Sequence, residues 1–188
     1  MINKNITVYV DIDNTLNEFQ NHFITYVNKL EYTYDNSKMD SYEIFLGINH
    51  PDKYTIMEKI FNDDTFWLSI PSTEHSYHAL HYLYTSYDTY VVTSPWNKQN
   101  EHLKKVWLSI HFPFVDSNRV LFCHDKWILA GDIIIDDKPE YLEKCKPNMT
   151  TIKSVQPYNK HIKADYTLNS WRDIYDIMFD YTTKRHYK

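Results

Sequence analysis

Four short apolar runs, each followed by polar residues, constrain the fold of this chain more than any other feature. The runs are rich in β-branched residues and cover positions 6–10, 89–92, 120–122 and 132–135, with a shorter candidate at 150–152. Segments with a helical spacing of apolar residues separate them. Strands that alternate with helices form a parallel sheet with helices on both faces. The sequence therefore predicts an α/β fold.

An unusually long segment separates the first two predicted strands. It contains apolar spacing typical of helices at about 19–32, 40–46, 52–61 and 73–84. A single crossover between parallel strands needs only one helix. We therefore predict a small helical cap at 17–80, inserted after the first strand, and a core formed by 1–16 and 81–188.

The glycine content excludes two common kinds of phosphate site. The chain has 2 glycines, Gly47 and Gly131. A dinucleotide-binding fingerprint needs three closely spaced glycines, and a Walker-type loop needs two that lie five positions apart. Any phosphate site in this chain must therefore be built without a glycine-rich loop.

The net charge and the pattern of apolar residues limit the kinds of partner that this chain can bind. Lys and Arg number 20 against 25 Asp and Glu, which gives a formal net charge of −5. Long nucleic acids favour clustered positive charge, so we expect a small-molecule partner instead. No basic-then-apolar leader and no apolar run of membrane-spanning length is visible, and Cys123 and Cys145 fit no metal-ligand spacing. We expect a cytoplasmic protein with no membrane partner, and a homodimer is left open.

Charged and hydroxyl side chains follow four of the predicted strands. In chain order they are Asp11 and Asp13, Thr93 and Ser94, Lys126, and Asp136 and Asp137. Because the carboxyl ends of parallel strands meet at one crevice, we expect these side chains to lie close together. Crowded carboxylates repel one another unless some are protonated or a cation lies among them. Oxygen ligands without nearby His or Cys favour Mg²⁺, so we predict a magnesium site beside a phosphate pocket.

The same residues resemble the four motifs of the haloacid-dehalogenase-like (HAD-like) phosphohydrolases. Asp11-Ile12-Asp13-Asn14-Thr15 resembles the first motif, Thr93 the second, Lys126 the third and Ile135-Asp136-Asp137 the fourth. Each motif follows an apolar strand, and the four occur in the family's order. The resemblance implies a HAD-like, Rossmann-type core.

A narrower resemblance is to the 5′(3′)-deoxyribonucleotidases. It rests on Thr93-Ser94-Pro95, Lys104 with Trp107, Asp125-Lys126 before Asp136-Asp137-Lys138-Pro139, and Ser170-Trp171. It implies a Mg²⁺-dependent phosphatase that hydrolyses 5′-(deoxy)ribonucleoside monophosphates. The chain departs from the family at Asn14-Thr15, where the family usually has Gly-Val.

The resemblance also implies a role for each site residue. Asp11 is the expected nucleophile that forms an aspartyl-phosphate, and Asp13 the expected general acid and base. The expected Mg²⁺ ligands are Asp11, the backbone carbonyl of Asp13, and one carboxylate of the Asp136–Asp137 pair, with Asp137 favoured. The expected phosphate-binding groups are the hydroxyl of Thr93, the backbone N–H of Ser94 and the positive charge of Lys126.

Several residues keep two interpretations at this stage. Phe19 is either an aromatic that stacks on the nucleobase or a core residue, and Trp96 either faces the crevice or packs beneath it. Tyr42 and Trp67 are candidate lid residues. Lys104 is interpreted as a surface lysine, because it lies on the helix face opposite the apolar stripe.

Two alternative functions also stay open. One is a phosphatase of other small phosphomonoesters, such as sugar phosphates. The other is a catalytically silent HAD-like protein that binds a ligand. The intact acidic residues argue against the silent protein, because a cluster of like charges is costly to keep without a use.

Overall fold

A computed structural model of the chain describes residues 4–186. Within this range, six parallel strands form one sheet in the order β3-β2-β1-β4-β5-β6. The strands are β1 (Thr7–Val10), β2 (Asp88–Thr93), β3 (Val120–Phe122), β4 (Ile133–Asp136), β5 (Thr150–Ser154) and β6 (Tyr166–Leu168). The predicted parallel sheet is confirmed. Strand β6 was not predicted, because its residues Tyr166-Thr167-Leu168 form no continuous apolar run, whereas the equally short β3 is apolar throughout.

Seven α-helices accompany this sheet within the described range. They are α1 (Phe19–Lys29), α2 (Lys53–Phe61), α3 (Asp64–Leu68), α4 (Ser76–Ser86), α5 (Lys98–His111), α6 (Pro139–Cys145) and α7 (Ile174–His186). The short helices α3 and α6 were not predicted. None of the helices within residues 4–186 is both long enough and apolar enough to cross a membrane.

The prediction of a helix at 40–46 is wrong. This stretch contains a single 3₁₀ turn, Ile44–Gly47. Its carbonyl groups bind the preceding segment: the Asp35 N–H donates to the Gly47 oxygen at 2.7 Å, and the Tyr34 hydroxyl donates to the Ile44 oxygen at 2.7 Å. These two hydrogen bonds attach the short turn to the segment that precedes it and satisfy two of its carbonyl groups.

Alternate residues of the central strands are buried on opposite faces of the sheet. Val8 and Val10 of β1 belong to one apolar cluster, together with residues of α4, α5 and α7. Tyr9, between them, belongs to a second cluster that includes Cys145 of α6. The alternation follows from the two-residue period of a strand, and it explains why helices cover both faces.

The register of the sheet brings the ends of β1, β2 and β4 to one edge. Val10 of β1 pairs with Val91 of β2 on one side and with Ile135 of β4 on the other. The residues that follow these positions therefore emerge next to one another, and the Asp11 N–H donates to the Ile135 oxygen at 2.9 Å.

A third apolar cluster lies among the helices between β1 and β2. It is rich in aromatic rings and includes Phe23, Phe66 and Trp67. Helix α4 differs from its neighbours, because its Leu80 and Leu83 pack in the same cluster as Val8 and Val10 of β1. The predicted boundary between 80 and 81 falls inside this helix. The division of the chain into core and cap stays a prediction.

Candidate active site

Three of the predicted carboxylates meet at the end of the sheet. Asp11 follows β1, Asp136 ends β4, and Asp137 comes next. One carboxylate oxygen from each lies within 4.8 Å of the others, and all three side chains are buried. Because β1 and β4 are neighbours, their strand ends bring together acidic residues that lie more than a hundred positions apart.

Lys126 is the positive charge of this acidic cluster. It begins a 3₁₀ turn after β3 and is 1% exposed. Its Nζ donates to Asp11 Oδ1 at 2.5 Å and to Asp136 Oδ2 at 2.7 Å. Burial by itself would lower the pKa of Lys126, but the two carboxylates outweigh burial and hold that pKa above its ordinary value. Lys126 therefore stays charged and offsets two of the three acidic groups.

Asp137 has a different environment from Asp136. Among the described residues no lysine or arginine contacts its carboxylate; the Tyr158 hydroxyl donates to Oδ2, and the Thr15 hydroxyl lies 3.5 Å from Oδ1. Burial, followed by the charges of Asp136 and Asp11, raises the pKa of Asp137 well above its ordinary value.

Burial also raises the pKa of Asp11, to about 6, although Lys126 opposes the change. A cation between Asp11 and Asp137 would favour the ionised form of both. Their oxygen atoms are the ligand type that Mg²⁺ prefers. The donor set therefore fits a hard divalent cation.

Asp13 lies next to this cluster but has separate partners. Its Oδ1 accepts a hydrogen bond from Asn17 Nδ2 at 3.1 Å, and its Oδ2 accepts one from Lys104 Nζ at 2.5 Å. Thr93, at the end of β2, completes the group, because its hydroxyl oxygen lies 2.7 Å from the same Nζ.

The interpretation of Lys104 as a surface residue is wrong. This side chain is 3% exposed. Helix α3 packs against α5 and covers the face that the sequence pattern left polar, and Lys104 Nζ lies 5.9 Å from the centre of the Trp67 ring. The spacing of apolar residues in α5 does not show that Trp67, from the separate helix α3, packs beside Lys104.

Ser94, the remaining predicted phosphate ligand, has its hydroxyl bound within the protein. The hydroxyl donates to the Cys123 oxygen at 3.0 Å, and its oxygen lies 2.7 Å from the Tyr141 hydroxyl. The side chain is half-buried at the edge of a cavity. These two contacts of the hydroxyl hold Ser94 at the edge of the cavity.

A cavity of about 330 Å³ extends from the acidic cluster to a wall of aromatic rings. Phe19 lines this wall and stacks on Trp67, with 5.6 Å between ring centres, so it belongs both to the cavity and to the aromatic cluster. Trp96 also lines the cavity, is 47% exposed, and meets the Phe61 ring edge-on at 5.1 Å. The interpretation in which Trp96 faces the crevice is therefore the one that agrees with the structure.

Sequence reasoning missed Asn17, Asn100 and Tyr158. Asn17 lies in the same loop as Asp13, and Tyr158 lies four residues beyond the end of β5, so the rule of polar residues after strands could have drawn attention to both. Asn100 is 1% exposed and lines the cavity. Its Oδ1 accepts from the Trp96 N–H at 3.0 Å, whereas its Nδ2 has no partner among the described residues.

Comparison with solved structures supports the fold. A haloacid dehalogenase-like family hydrolase from Streptococcus pneumoniae superposes with a TM-score of 0.62 at 15% identity, over 92% of this chain and 98% of that chain. YfnB from Bacillus subtilis, assigned to the HAD hydrolases and solved bound to magnesium, gives a TM-score of 0.60 at 14% identity, over 93% and 99%. The core is therefore the HAD-like α/β core.

Comparison of sequences identifies the family. The model of the family "5′ nucleotidase, deoxy (pyrimidine), cytosolic type C protein" matches residues 4–185. The 5′(3′)-deoxyribonucleotidase of Clostridium acetobutylicum is 28% identical over 76% of this chain and 78% of its own length. That of Bacillus subtilis is 25% identical over 89% and 95%. The chain therefore belongs to this family of 5′ nucleotidases and is a phosphoric monoester hydrolase of the 5′-nucleotidase type.

Proposed function

We propose that this protein hydrolyses 5′-(deoxy)ribonucleoside monophosphates with Mg²⁺ as cofactor. The observation that carries the proposal is the cavity that joins the acidic cluster, with Lys126, to aromatic rings. A phosphate needs cations and hydrogen-bond donors, whereas a nucleobase needs flat apolar surfaces. A nucleoside monophosphate has both parts, separated by one sugar. The names of the relatives in Clostridium and Bacillus agree with this substrate class.

The proposed ligands of Mg²⁺ are Asp11, Asp137 and the backbone carbonyl of Asp13, with Asp136 next to them. Both oxygens of Asp136 already accept hydrogen bonds, from Lys126 Nζ at 2.7 Å and from the Lys138 N–H at 2.9 Å. Asp137 contacts only neutral donors, so we assign it as the direct ligand. When bound, Mg²⁺ offsets the negative charge of the acidic cluster and of the phosphate.

In the proposed reaction, an Asp11 oxygen attacks phosphorus while the bond from phosphorus to the ester oxygen breaks. Asp13 gives its proton to that oxygen, which leaves as the nucleoside hydroxyl. Water then attacks the aspartyl-phosphate on Asp11 and gives a proton back to Asp13. Inorganic phosphate leaves, and both aspartates return to their starting state.

The proposed phosphate site uses Thr93, Ser94 and Lys126, and the structure adds Lys104 as a candidate. Lys104 Nζ lies within hydrogen-bond distance of both Thr93 and Asp13. A cation in this place would stabilise the charge that develops on the phosphate oxygens in the transition state. Two buried lysines would then provide the positive charge that a glycine-rich loop provides in other phosphate sites.

The proposed nucleobase site is the aromatic wall, with Phe19 and Trp96 as the stacking residues. Phe19, Phe61 and Trp67 come from the segment 17–80, which we propose as a cap that covers the cavity and selects the substrate. A location in the cytoplasm and a homodimer remain predictions.

A phosphate-release screen tests this function. Purified protein with Mg²⁺ is assayed against ribonucleotides, deoxyribonucleotides and sugar phosphates at equal concentration. We expect the highest kcat/KM with 5′-nucleoside monophosphates. Equal or better turnover of sugar phosphates would favour the alternative of a general phosphomonoesterase. Release from no substrate in the presence of Mg²⁺ would favour the silent ligand-binding protein.

A further inference from the structure

Two adjacent residues of one turn hold Asp137. The 3₁₀ turn Pro157–Asn159 follows β5, and Tyr158 is 4% exposed. The Tyr158 hydroxyl donates to Asp137 Oδ2, and Asn159 Nδ2 donates to the Asp137 backbone oxygen at 2.7 Å. The carboxylate and the backbone of Asp137 are therefore both fixed from the same side.

Tyr158 fixes the carboxylate without neutralising it. Asp136 is paired with the cation Lys126, whereas the hydroxyl of Tyr158 is a neutral donor. A neutral donor that binds one oxygen of a ligating carboxylate sets its direction and leaves its charge available to a metal. This is the arrangement expected around a carboxylate that must receive a cation.

Tyr158 is also connected to the segment between β1 and β2. Asn14 Nδ2 donates to the Tyr158 oxygen at 2.9 Å, and Asn14 Oδ1 accepts from the Gln20 N–H at 2.7 Å. Gln20 Nε2 in turn donates to the Met39 oxygen at 3.0 Å. The ring of Tyr42, which lines the cavity, meets the Tyr158 ring edge-on with 5.4 Å between centres.

We propose that Tyr158 is a positioning residue that holds Asp137 in its metal-binding orientation and connects it to the segment containing Gln20 and Tyr42. The inference rests on the proposed role of Mg²⁺. It adds a residue that acts through Asp137 and does not contact the reacting atoms.

The test compares Tyr158→Phe with Tyr166→Phe. Tyr166 offers a matched control, because its hydroxyl donates to Asp180 Oδ2 at 2.7 Å in a second Tyr–Asp pair, between β6 and α7. The Mg²⁺ concentration that gives half of the maximal effect, called the half-effect concentration, is measured in two ways. One is the rise in Tm of the substrate-free protein, and the other is the rate of p-nitrophenyl phosphate hydrolysis. We expect Tyr158→Phe to raise this concentration about 10- to 100-fold. We expect Tyr166→Phe to match the wild type.

A second variant covers the case in which Tyr158→Phe does not fold. Asn14 has a φ of 56°, a left-handed conformation that glycine adopts readily. Asn14→Gly therefore removes, without backbone strain, the side chain that connects Tyr158 to Gln20. We expect it to raise the half-effect concentration about 3- to 10-fold.

Three results would overturn the inference: wild-type Mg²⁺ dependence in both site variants, an equal change in Tyr166→Phe, or no Mg²⁺ effect on the Tm of the wild type. Failure of the nucleotidase proposal would appear separately, as absence of phosphate release from nucleotides. The Tm measurement contains no substrate and does not depend on that result.

Discussion

The two ends of the cavity differ in what holds their side chains in place. At the charged end, Asp11, Thr93 and Asp136 lie at or directly after strand ends, and the register of the sheet fixes their spacing. At the aromatic end, Phe19 and Trp67 come from separate helices and are held by ring packing, with 5.6 Å between their centres. The backbone therefore fixes the positions of the residues at the charged end, and side-chain packing fixes those at the aromatic end.

This difference has energetic consequences. A misplaced strand end would break several backbone hydrogen bonds and bury unpaired charges, which is costly. An aromatic pair contributes only about 0.5–1.5 kcal/mol beyond the area it buries. We therefore expect substitutions at the charged end to affect the chemical step, and substitutions at the aromatic end to affect mainly substrate choice.

The largest effect should follow from Asp11→Asn. Removal of the proposed nucleophile should lower kcat for every phosphomonoester by about four orders of magnitude or more. The Tm should stay near or above that of the wild type, because the change removes one charge from a crowded acidic cluster. Steady-state assays and thermal denaturation measure both quantities. Asp176→Asn, on the exposed face of α7, is the matched control. Substantial turnover by Asp11→Asn would exclude Asp11 as the nucleophile.

Removal of the metal should have the next largest effect. Treatment with EDTA should lower kcat/KM about 10³-fold, since a bound metal contributes several kcal/mol to charge stabilisation in the transition state. Excess Mg²⁺ should restore the rate, which controls for damage by the chelator. Full activity in EDTA after exhaustive dialysis would contradict the metal assignment at the charged end.

Lys104→Met tests the lysine that the sequence pattern assigned to the surface. Loss of this cation beside Asp13 and Thr93 should lower kcat/KM about 10²-fold for nucleotides and p-nitrophenyl phosphate alike. The neighbouring Lys105 is exposed on the same helix, so Lys105→Met should leave both rates unchanged. Indistinguishable kinetics of the two variants would show that Lys104 has no part in the reaction.

Phe19→Ala should have the smallest effect and the most selective one. Loss of a stacking ring should raise KM for a nucleotide about 10-fold and leave KM for p-nitrophenyl phosphate nearly unchanged. Phe179→Ala serves as the control, because that ring is 73% exposed on α7. An equal rise in KM for both substrates would mean that Phe19 acts only as a packing residue and would remove the proposed distinction between the two ends.

The sequence by itself identified the residues of the charged end that lie at or soon after strand ends. Strand periodicity marks where each strand stops, and parallel strands stop at one edge, so Asp11, Lys126 and Asp136 could be assigned to a common crevice before any coordinates. The resemblance of four motifs to the HAD-like enzymes added the expected chemistry, and the family comparison agrees with it.

Only the tertiary structure decided the partners that come from elsewhere in the chain. Lys104 is buried because α3 covers α5. Tyr158 contacts Asp137 because the turn after β5 hydrogen-bonds to the residue that follows β4. The contact between Phe19 and Trp67 likewise depends on how two helices pack. The position of a strand end can be predicted from the spacing of residues along the chain. The segment that covers a helix face depends on packing between distant parts of the chain, and the local sequence pattern contains no information about it.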